Sequence, residues 1–221
     1  MNNIVVGLAN AKPAPDGSKP KSDSQPRCEW GASTIDYAQY HDNEWGVPTG
    51  DDVEVFERLC LEGFQAGLSW LTVLRKRSRF REVFEGFNPE TVAQYTSDDI
   101  ERLLGDPGII RHRGKIEATI NNAKLVAEMR ANGESIAGLI WAHERSQRTT
   151  PTSFADVPSQ TDESKALSKT LRRRGFKFVG PTTVYAAMQA IGVANDHLDQ
   201  CWVQASREDL LDDFVRPKFI R

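Results

Sequence analysis

Cysteine is scarce in this sequence, and long apolar stretches are missing from it. Its 221 residues include three cysteines, which are too few and too widely separated for a disulfide framework. No apolar run approaches the length of a membrane span, and the first residues do not form a signal peptide. We therefore expect a cytoplasmic protein without a membrane partner, whose cysteines are either reduced and buried or bound to a metal.

A large excess of positive charge is also missing. The formal net charge of −3 argues against a general polyanion binder. Basic residues nevertheless cluster at 75–81, 111–115 and 172–177. Because a net-negative protein can still hold a basic face, these clusters leave a nucleic acid partner open. The alternative for each cluster alone is a solvated helix face.

From residue 28 onward every convincing pattern is helical. Apolar residues recur at helical spacing between N-caps and terminal glycines, and no strand pattern appears. Residues 1–27 are rich in proline, serine and lysine and predict a disordered extension. We predict an all-α fold with a helical domain over 28–204 and an acidic tail over 205–221. A loop that includes Trp141 is expected to continue to about residue 161.

One apolar helix pattern ends in a carboxylate, Glu62. This residue lies at the edge of the apolar stripe, and Leu68 and Trp70 follow with large apolar side chains. A carboxylate beside a tryptophan suits a desolvated acid or a polar anchor for a flat ligand. The alternative is an ordinary helix end, with Ser69 capping the next helix.

A second candidate site is the connection between two predicted helices, which reads Arg-Gly-Phe-Lys-Phe-Val-Gly-Pro from 174 to 181. Gly175 and Gly180 bracket this segment, and Pro181 stands where the next helix begins. The backbone amides of that helix can therefore approach a phosphate closely. Lys177 and three preceding arginines favour an anion there. A helix-hairpin-helix motif grips DNA in this way without reading bases, and a plain helical hairpin is the alternative.

A third candidate site contains two cysteines and two histidines. His197 and Cys201 are four residues apart, so a helix would project both from one face. Cys28 and His41 lie near the other end of the predicted domain. Together the four form a complete ligand set for structural zinc, Zn2+, and leave no open position for activating water. The alternative is that they are four ordinary residues.

Aromatic residues are concentrated around these stretches. Aromatic rings more often fill cores than bind ligands, but flat rings near one carboxylate suit an extruded nucleobase held by stacking. The residues in question are Trp30, Tyr37, Tyr40, Trp45 and Trp70.

Four long stretches together resemble the DNA-3-methyladenine glycosylase I family of bacterial alkylation-repair enzymes. The resemblance covers residues 28 to about 201. The stretches read YHDNEWGVP (40–48), CLEGFQAGLSW (60–70), GIIRHRGKI (108–116) and RGFKFVG (174–180), and NDH follows at 195–197. Phe64 is a departure, because the family has a polar residue there.

This resemblance implies a helix-hairpin-helix glycosylase fold with structural zinc. It implies an enzyme that flips 3-methyladenine out of alkylated double-stranded DNA and hydrolyses its N-glycosidic bond. The free base would be released and an abasic site left. We expect a monofunctional enzyme, since nothing identifies a lysine nucleophile, and we expect it to be a monomer.

Site roles follow from matching positions to the family. The resemblance implies that Glu62 hydrogen-bonds the flipped base and that Gly67 and Leu68 probe the gap left in the duplex. It also implies that Trp70 and Tyr40 line or stack on the base, that Trp30, Tyr37 and Trp45 complete the pocket, and that Cys28, His41, His197 and Cys201 bind the zinc.

Asp196 is a second candidate carboxylate. Helix-hairpin-helix glycosylases place a catalytic aspartate shortly after the hairpin, which makes Asp196 a candidate. The alternative is that zinc binding by the neighbouring His197 turns Asp196 away from the site. Two other functions stay open. One is a DNA-binding module without chemistry, and the other is a glycosylase for a different base, such as 7-methylguanine or mismatched adenine.

Overall fold

The computed structural model describes residues 25–219, so nearly all of the predicted disordered extension lies outside the described residues. Between 25 and 219 the chain is all-helical and contains no strand, as predicted. In that range no helix is both long enough and apolar enough to cross a membrane. The helices are α1 (Ile35–Asn43), α2 (Asp52–Gln65), α3 (Trp70–Val83), α4 (Pro89–Val92), α5 (Ser97–Gly105), α6 (Arg113–Ala131), α7 (Ile136–Trp141), α8 (Asp162–Arg173), α9 (Pro181–Ile191) and α10 (Gln204–Asp213).

Local chemistry fixes where the central helices begin and end. The Asp51 side chain accepts hydrogen bonds from the backbone N–H groups of Val53 and Glu54, at 2.9 and 3.0 Å, and so caps α2. Gly192 ends α9 in the left-handed conformation, with φ +84°. A Cβ at Gly192 would lie 2.6 Å from the backbone nitrogen of Pro48, so only glycine fits this close approach.

Helix α2 lies at the centre of the fold, where it packs against α9 and α3, while α8 packs on α9 and α4 packs on α6. A column of buried phenylalanine rings joins α2 to α3. The ring centroids of Phe64 and Phe80 are 4.5 Å apart, and those of Phe84 and Phe87 are 5.3 Å apart. Burying each ring stabilises the fold by about 1.5–3 kcal/mol. The helix that carries Glu62 is therefore firmly held.

The loop prediction was wrong for residues 136–141, which form α7 with Trp141 as its last residue. Ser135 caps this helix by accepting a 2.9 Å hydrogen bond from the N–H of Gly138. Six residues are too few for a helical period to emerge from the sequence. The glycine is needed because a Cβ at Gly138 would lie 2.5 Å from the carbonyl oxygen of Lys218.

The segment expected as an acidic tail contains α10 and packs on the body of the protein. Arg207 and Leu211 are buried on its inner face. The Arg207 guanidinium donates to the carbonyl oxygen of Asp42 at 2.6 Å. On the outer face, Arg148 pairs with Glu208 and Asp212 at 2.6 Å each, which neutralises part of the acidic charge.

Two adjacent leucines test whether α10 is part of the cooperative fold. Leu211 is 1% exposed and Leu210 is 46% exposed. We expect Leu211→Ala to lower the free energy of unfolding by about 2–5 kcal/mol, because it leaves a cavity. The matched Leu210→Ala should change it by less than about 0.5 kcal/mol. Urea unfolding followed by circular dichroism measures both, and equal effects would contradict the packing of α10.

Candidate active site

A cavity of about 410 Å³ opens between α1, α2, α9 and the segment that precedes α8. It is lined by the carboxylate and all five aromatic residues that the sequence singled out, namely Glu62, Trp30, Tyr37, Tyr40, Trp45 and Trp70. These residues come from three separate stretches of the chain. The fold thus brings the predicted base-binding residues together around one space.

The aromatic walls are fixed by contacts between the rings themselves. Trp30 meets Trp45 edge-to-face, with centroids 5.0 Å apart and planes at 90°. It meets Tyr37 in the same way at 5.5 Å and 83°. Tyr40 and Trp70 lie 5.3 Å apart at 49°. Edge-to-face pairs place the positive edge of one ring against the negative face of another, so the walls stay in place without a ligand.

Glu62 is a buried acid without a partner in the described part of the chain. Its side chain has no hydrogen bond or ion pair with any residue from 25 to 219, and the residue is 6% exposed. Burial alone raises the pKa of Glu62 from an ordinary 4.5 to about 8. Burial, and then the Glu62 carboxylate, also raise the pKa of Tyr40. An unpaired acid beside a cavity costs stability, and such groups are typical of functional sites.

A second carboxyl group, Asp196, lines the same cavity. Its Oδ2 atom accepts hydrogen bonds from the Tyr185 hydroxyl and the Gln189 amide, each at 2.6 Å. Burial, followed by the Asp196 carboxyl, raises the pKa of Tyr185. The neighbouring His197 therefore does not turn Asp196 away from the cavity. Sequence reasoning missed Tyr185 and Gln189, although their spacing of four residues places both on one face of α9.

Another wall of the cavity was missed altogether. It comes from the segment between α7 and α8, where Val157, Pro158 and Ser159 line the cavity and the exposed Phe154 joins them. The sequence there is a run of small and polar residues with no helical period, and it carries no signal of what it faces.

The two cysteines and two histidines meet in one buried cluster, with ligand atoms all within 4.8 Å of one another. His41 Nε2 and His197 Nδ1 are 3.2 Å apart. Cys201 Sγ lies 3.4 Å from the first nitrogen and 3.6 Å from the second. A tetrahedral zinc ion would require about 3.3 Å between two nitrogens and about 3.5 Å between nitrogen and sulfur. The cluster can therefore hold a metal ion, and its spacing fits zinc.

Hydrogen bonds outside the cluster orient the two imidazoles. His41 Nδ1 bonds the Asp42 carboxylate at 2.8 Å, and His197 Nε2 bonds the carbonyl oxygen of Trp45 at 3.3 Å. Each ring thus turns its other nitrogen into the cluster, as metal-binding histidines do. The Trp45 carbonyl also accepts a hydrogen bond from Arg207 at 3.1 Å. Because Trp45 and Cys28 line the cavity as well, the cluster and the cavity share a wall.

The residues expected to touch DNA lie at two neighbouring loops. Gly67, with φ +81°, and the exposed Leu68 follow the end of α2. Gly175, with φ +94°, the exposed Lys177 and the α9 cap Gly180 form the connection from α8 to α9. The hairpin lies next to the end of α2, from which the first loop leaves, because a narrow crevice is lined by Phe64 of α2 and by Lys177 and Phe178 of the hairpin.

The basic clusters at 75–81 and 172–177 differ in how much of their charge is neutralised by ion pairs. At 75–81 four arginines pair with carboxylates, so most of that charge is neutralised. In the 172–177 cluster, Arg174 pairs with Glu134. Among the described residues, Arg172, Arg173 and Lys177 have no carboxylate partner. Most of the positive charge of the hairpin is therefore available to an anion, whereas most of that at 75–81 is not.

The chain is similar in sequence to proteins of one family. A sequence profile described as methyladenine glycosylase matches residues 30–204. The DNA-3-methyladenine glycosylase 1 of Escherichia coli strain K12 is 50% identical over 177 residues, which cover 79% of this chain and 95% of that protein.

Solved structures agree in fold. A crystal structure of 3-methyladenine DNA glycosylase I superposes with a TM-score of 0.77 at 49% identity and covers 80% of this chain and 98% of that one. A second, of a variant of 3-methyladenine DNA glycosylase I in complex with 3-methyladenine, superposes with a TM-score of 0.75 at 37% identity and covers 80% and 97%.

The substitution Glu62→Gln tests the burial of the acid. The pKa of the Glu62 carboxyl group is an ordinary 4.5 in the unfolded chain and is raised to about 8 in the folded one. Wild-type stability therefore falls as pH rises from 4.5 to 8 and levels off above that. We expect Glu62→Gln to abolish this fall and to exceed wild-type stability at pH 8.5 by a few kcal/mol, at about 1.4 kcal/mol per pKa unit.

Urea unfolding at pH 5 and pH 8.5 measures the difference. Glu54→Gln is the matched control, because Glu54 is exposed on the same helix and its loss should change the free energy of unfolding by less than about 1 kcal/mol. Parallel pH profiles for wild type and Glu62→Gln would show that the acid is not buried and unpaired.

Proposed function

The chain belongs to the methyladenine glycosylase family, and we propose that it excises 3-methyladenine from alkylated DNA as the first step of base excision repair. It hydrolyses the N-glycosidic bond, releases the free base and leaves an abasic site. The observation that carries this proposal is Glu62, a buried acid that is unpaired among the described residues and faces a cavity whose walls include two tyrosines and three tryptophans predicted from the sequence. Relatives that share the fold bear the same activity in their names.

Recognition depends on the charge of the damaged base. Methylation at N3 makes the adenine cationic while it is attached to the sugar. A cation is attracted to the faces of aromatic rings, and Trp70 and Tyr40 provide such faces. An undamaged adenine is neutral and gains only stacking. The cavity therefore favours the alkylated base once it has been flipped out of the duplex.

Glu62 adds a second charge-sensitive contact. With a pKa of about 8, this residue is largely protonated at neutral pH while the cavity is empty. A cationic base beside it would lower its pKa, because opposite charges within a few ångströms favour the ionised form. The acid would then lose its proton and pair with the base in surroundings of low dielectric constant. A neutral base would leave Glu62 protonated, so this ion pair forms only with the damaged one.

Bond cleavage follows from this capture. The glycosidic electron pair moves to the base, which leaves as neutral 3-methyladenine, and the sugar becomes electron-poor at C1′. Water then adds to C1′ and releases its proton to solvent, which balances the positive charge of the alkylated nucleotide. We assign Asp196 the task of holding that water or stabilising the positive sugar, with Tyr185 and Gln189 fixing its orientation. Among the described residues, no lysine lines the cavity. This supports attack by water and a monofunctional enzyme.

The DNA backbone is gripped next to this cavity. The segment from Gly175 to Gly180 serves as a helix-hairpin-helix motif, in which the first backbone amides of α9 and the side chain of Lys177 bind phosphate. Gly67 and Leu68 enter the space left by the flipped base. We propose that the protein acts in this way on double-stranded DNA, as a monomer in the cytoplasm.

Zinc held by Cys28, His41, His197 and Cys201 has a structural role in this proposal. The four ligands form a closed set, so the metal has no open position for water. Bound zinc would tie the start of the domain to its end. It would also keep Trp45 and Cys28 in place as walls of the cavity.

Base release from methylated duplex DNA tests the activity. Wild-type protein should liberate 3-methyladenine, identified by chromatography. Glu62→Gln should lower the rate by about 10²-fold, because a preorganised charged contact is lost. Glu54→Gln, on the exposed face of the same helix, should leave the rate unchanged. Release of 7-methylguanine or of mismatched adenine instead would indicate a different specificity. A wild type that binds DNA and releases nothing would indicate a module without chemistry.

Metal analysis tests the zinc proposal independently of activity. We expect about one zinc per chain in wild type and a large loss of zinc in Cys201→Ala. Free 3-methyladenine should also quench tryptophan fluorescence less in that variant, because Trp45 loses its support. Cys60→Ala is the matched control, since Cys60 is a buried cysteine outside the cluster and its removal should leave the zinc content unchanged. Full quenching by zinc-free protein would contradict the support role.

A further inference from the structure

The first turn of α6 holds the end of α2. Lys115 is a buried lysine whose Nζ donates to the carbonyl oxygens of Phe64 and Ala66, at 2.8 and 2.6 Å. The last carbonyls of a helix have no partner within the helix, and the helix dipole makes them attractive to a cation. Lys115 therefore closes the C-terminal end of the helix that carries Glu62.

The loop that follows has little other support. A Cβ added at Gly67 would have no atom of the described residues within 4 Å, and Leu68 is 44% exposed. Within the loop, the Leu68 N–H donates to the carbonyl oxygen of Gln65 at 2.6 Å. The direction in which Gly67 and Leu68 leave α2 thus depends on carbonyls that Lys115 fixes.

Helix α6 also holds the connection from α8 to α9, through residues two turns beyond Lys115. The side-chain oxygen of Asn122 accepts from the N–H of Lys177, and its NH₂ donates to the carbonyl oxygen of Lys177, both at 2.9 Å. Asn121 donates to the carbonyl oxygen of Gly175 at 3.0 Å. Asn122 is buried, so these bonds are shielded from competing water.

We propose that α6 is the frame that sets the spacing between the two DNA-contacting loops, with Lys115 and Asn122 as its positioning residues. This inference rests on the proposed function, since it assumes that both loops meet DNA. Seven residues separate the two side chains, which corresponds to about 10 Å along a rigid helix. Duplex DNA presents its lesion and its phosphates at fixed separations, so a fixed distance between probe and grip favours binding.

A role for Lys115 as a nucleophile does not fit its surroundings. It does not line the cavity that holds Glu62. Both described hydrogen bonds of its side chain go to backbone carbonyls, which are part of the fold. Lys115 therefore acts through the loop that it holds.

The first experiment replaces Lys115 with methionine and measures three quantities. The Kd for methylated duplex DNA should weaken by about tenfold, because two hydrogen bonds from a charged group are lost. Quenching of tryptophan fluorescence by free 3-methyladenine should stay close to the wild-type level, because Lys115 itself does not line the base cavity. Lys124→Met is the matched control, an exposed lysine on the same helix, and should keep the wild-type Kd.

A double-mutant cycle separates positioning from general destabilisation. If Lys115 acts through the loop, then Lys115→Met should weaken DNA binding much less in a Leu68→Ala background than in wild type. Equal effects in both backgrounds would overturn the proposal. Should Lys115→Met fail to fold, Lys115→Gln replaces it in the same double-mutant cycle, because glutamine retains a donor for one carbonyl.

The other half of the frame is tested by salt dependence. Asn122→Ala should misplace Lys177 and reduce the slope of log K against log salt concentration by about 0.9, the value for one lost phosphate contact. Asn132→Ala, at the exposed end of α6, should leave the slope unchanged. An unchanged slope in Asn122→Ala would overturn this half. Failure of wild type to release any methylated base would refute the proposed function, whereas an additive cycle in an active enzyme would refute the frame alone.

Discussion

The Cys2His2 cluster is the contact on which the rest of the site depends. It brings together Cys28 and Cys201, which lie near opposite ends of the domain, and it closes a long loop that is costly in chain entropy. One carbonyl oxygen, that of Trp45, accepts from both a cluster histidine and Arg207. Disturbing the cluster therefore disturbs an aromatic wall of the cavity, even though the cluster has no direct contact with the reacting bond.

At Glu62 the fold gives up stability, and the proposed function offers a reason for it. The protein keeps an acid in a place where nothing in the described part of the chain pairs with it, and burial alone raises its pKa. The rigid packing of α2, with its column of phenylalanine rings, offsets that cost. A cationic base would supply the missing partner. In the proposed function, the arrangement stores an unfavourable interaction that a cationic base would relieve and a neutral base would not.

The sequence predicted much of this molecule because its signals are local. Caps such as Asp51 and terminal glycines marked the helices, and the aromatic residues and the carboxylate stood out by type. Helix α7 was missed because it is buried and only about one and a half turns long. Helix α10 was missed because only two of its positions are buried, which is too few to stand out among its acidic residues. Tyr185 and Gln189 line the cavity only because α9 packs against α2, and no local pattern in the sequence predicts that packing.

The hydrogen bonds of Arg207 have a consequence for where the functional unit ends. The family profile stops at residue 204, and the last ligand of the cluster is Cys201. Arg207 lies beyond both, yet it reaches back to the carbonyl groups of Asp42 and Trp45. A chain trimmed at the family boundary would keep every residue of the cavity and lose one of its supports. The part of the chain that supports the cavity therefore extends into α10.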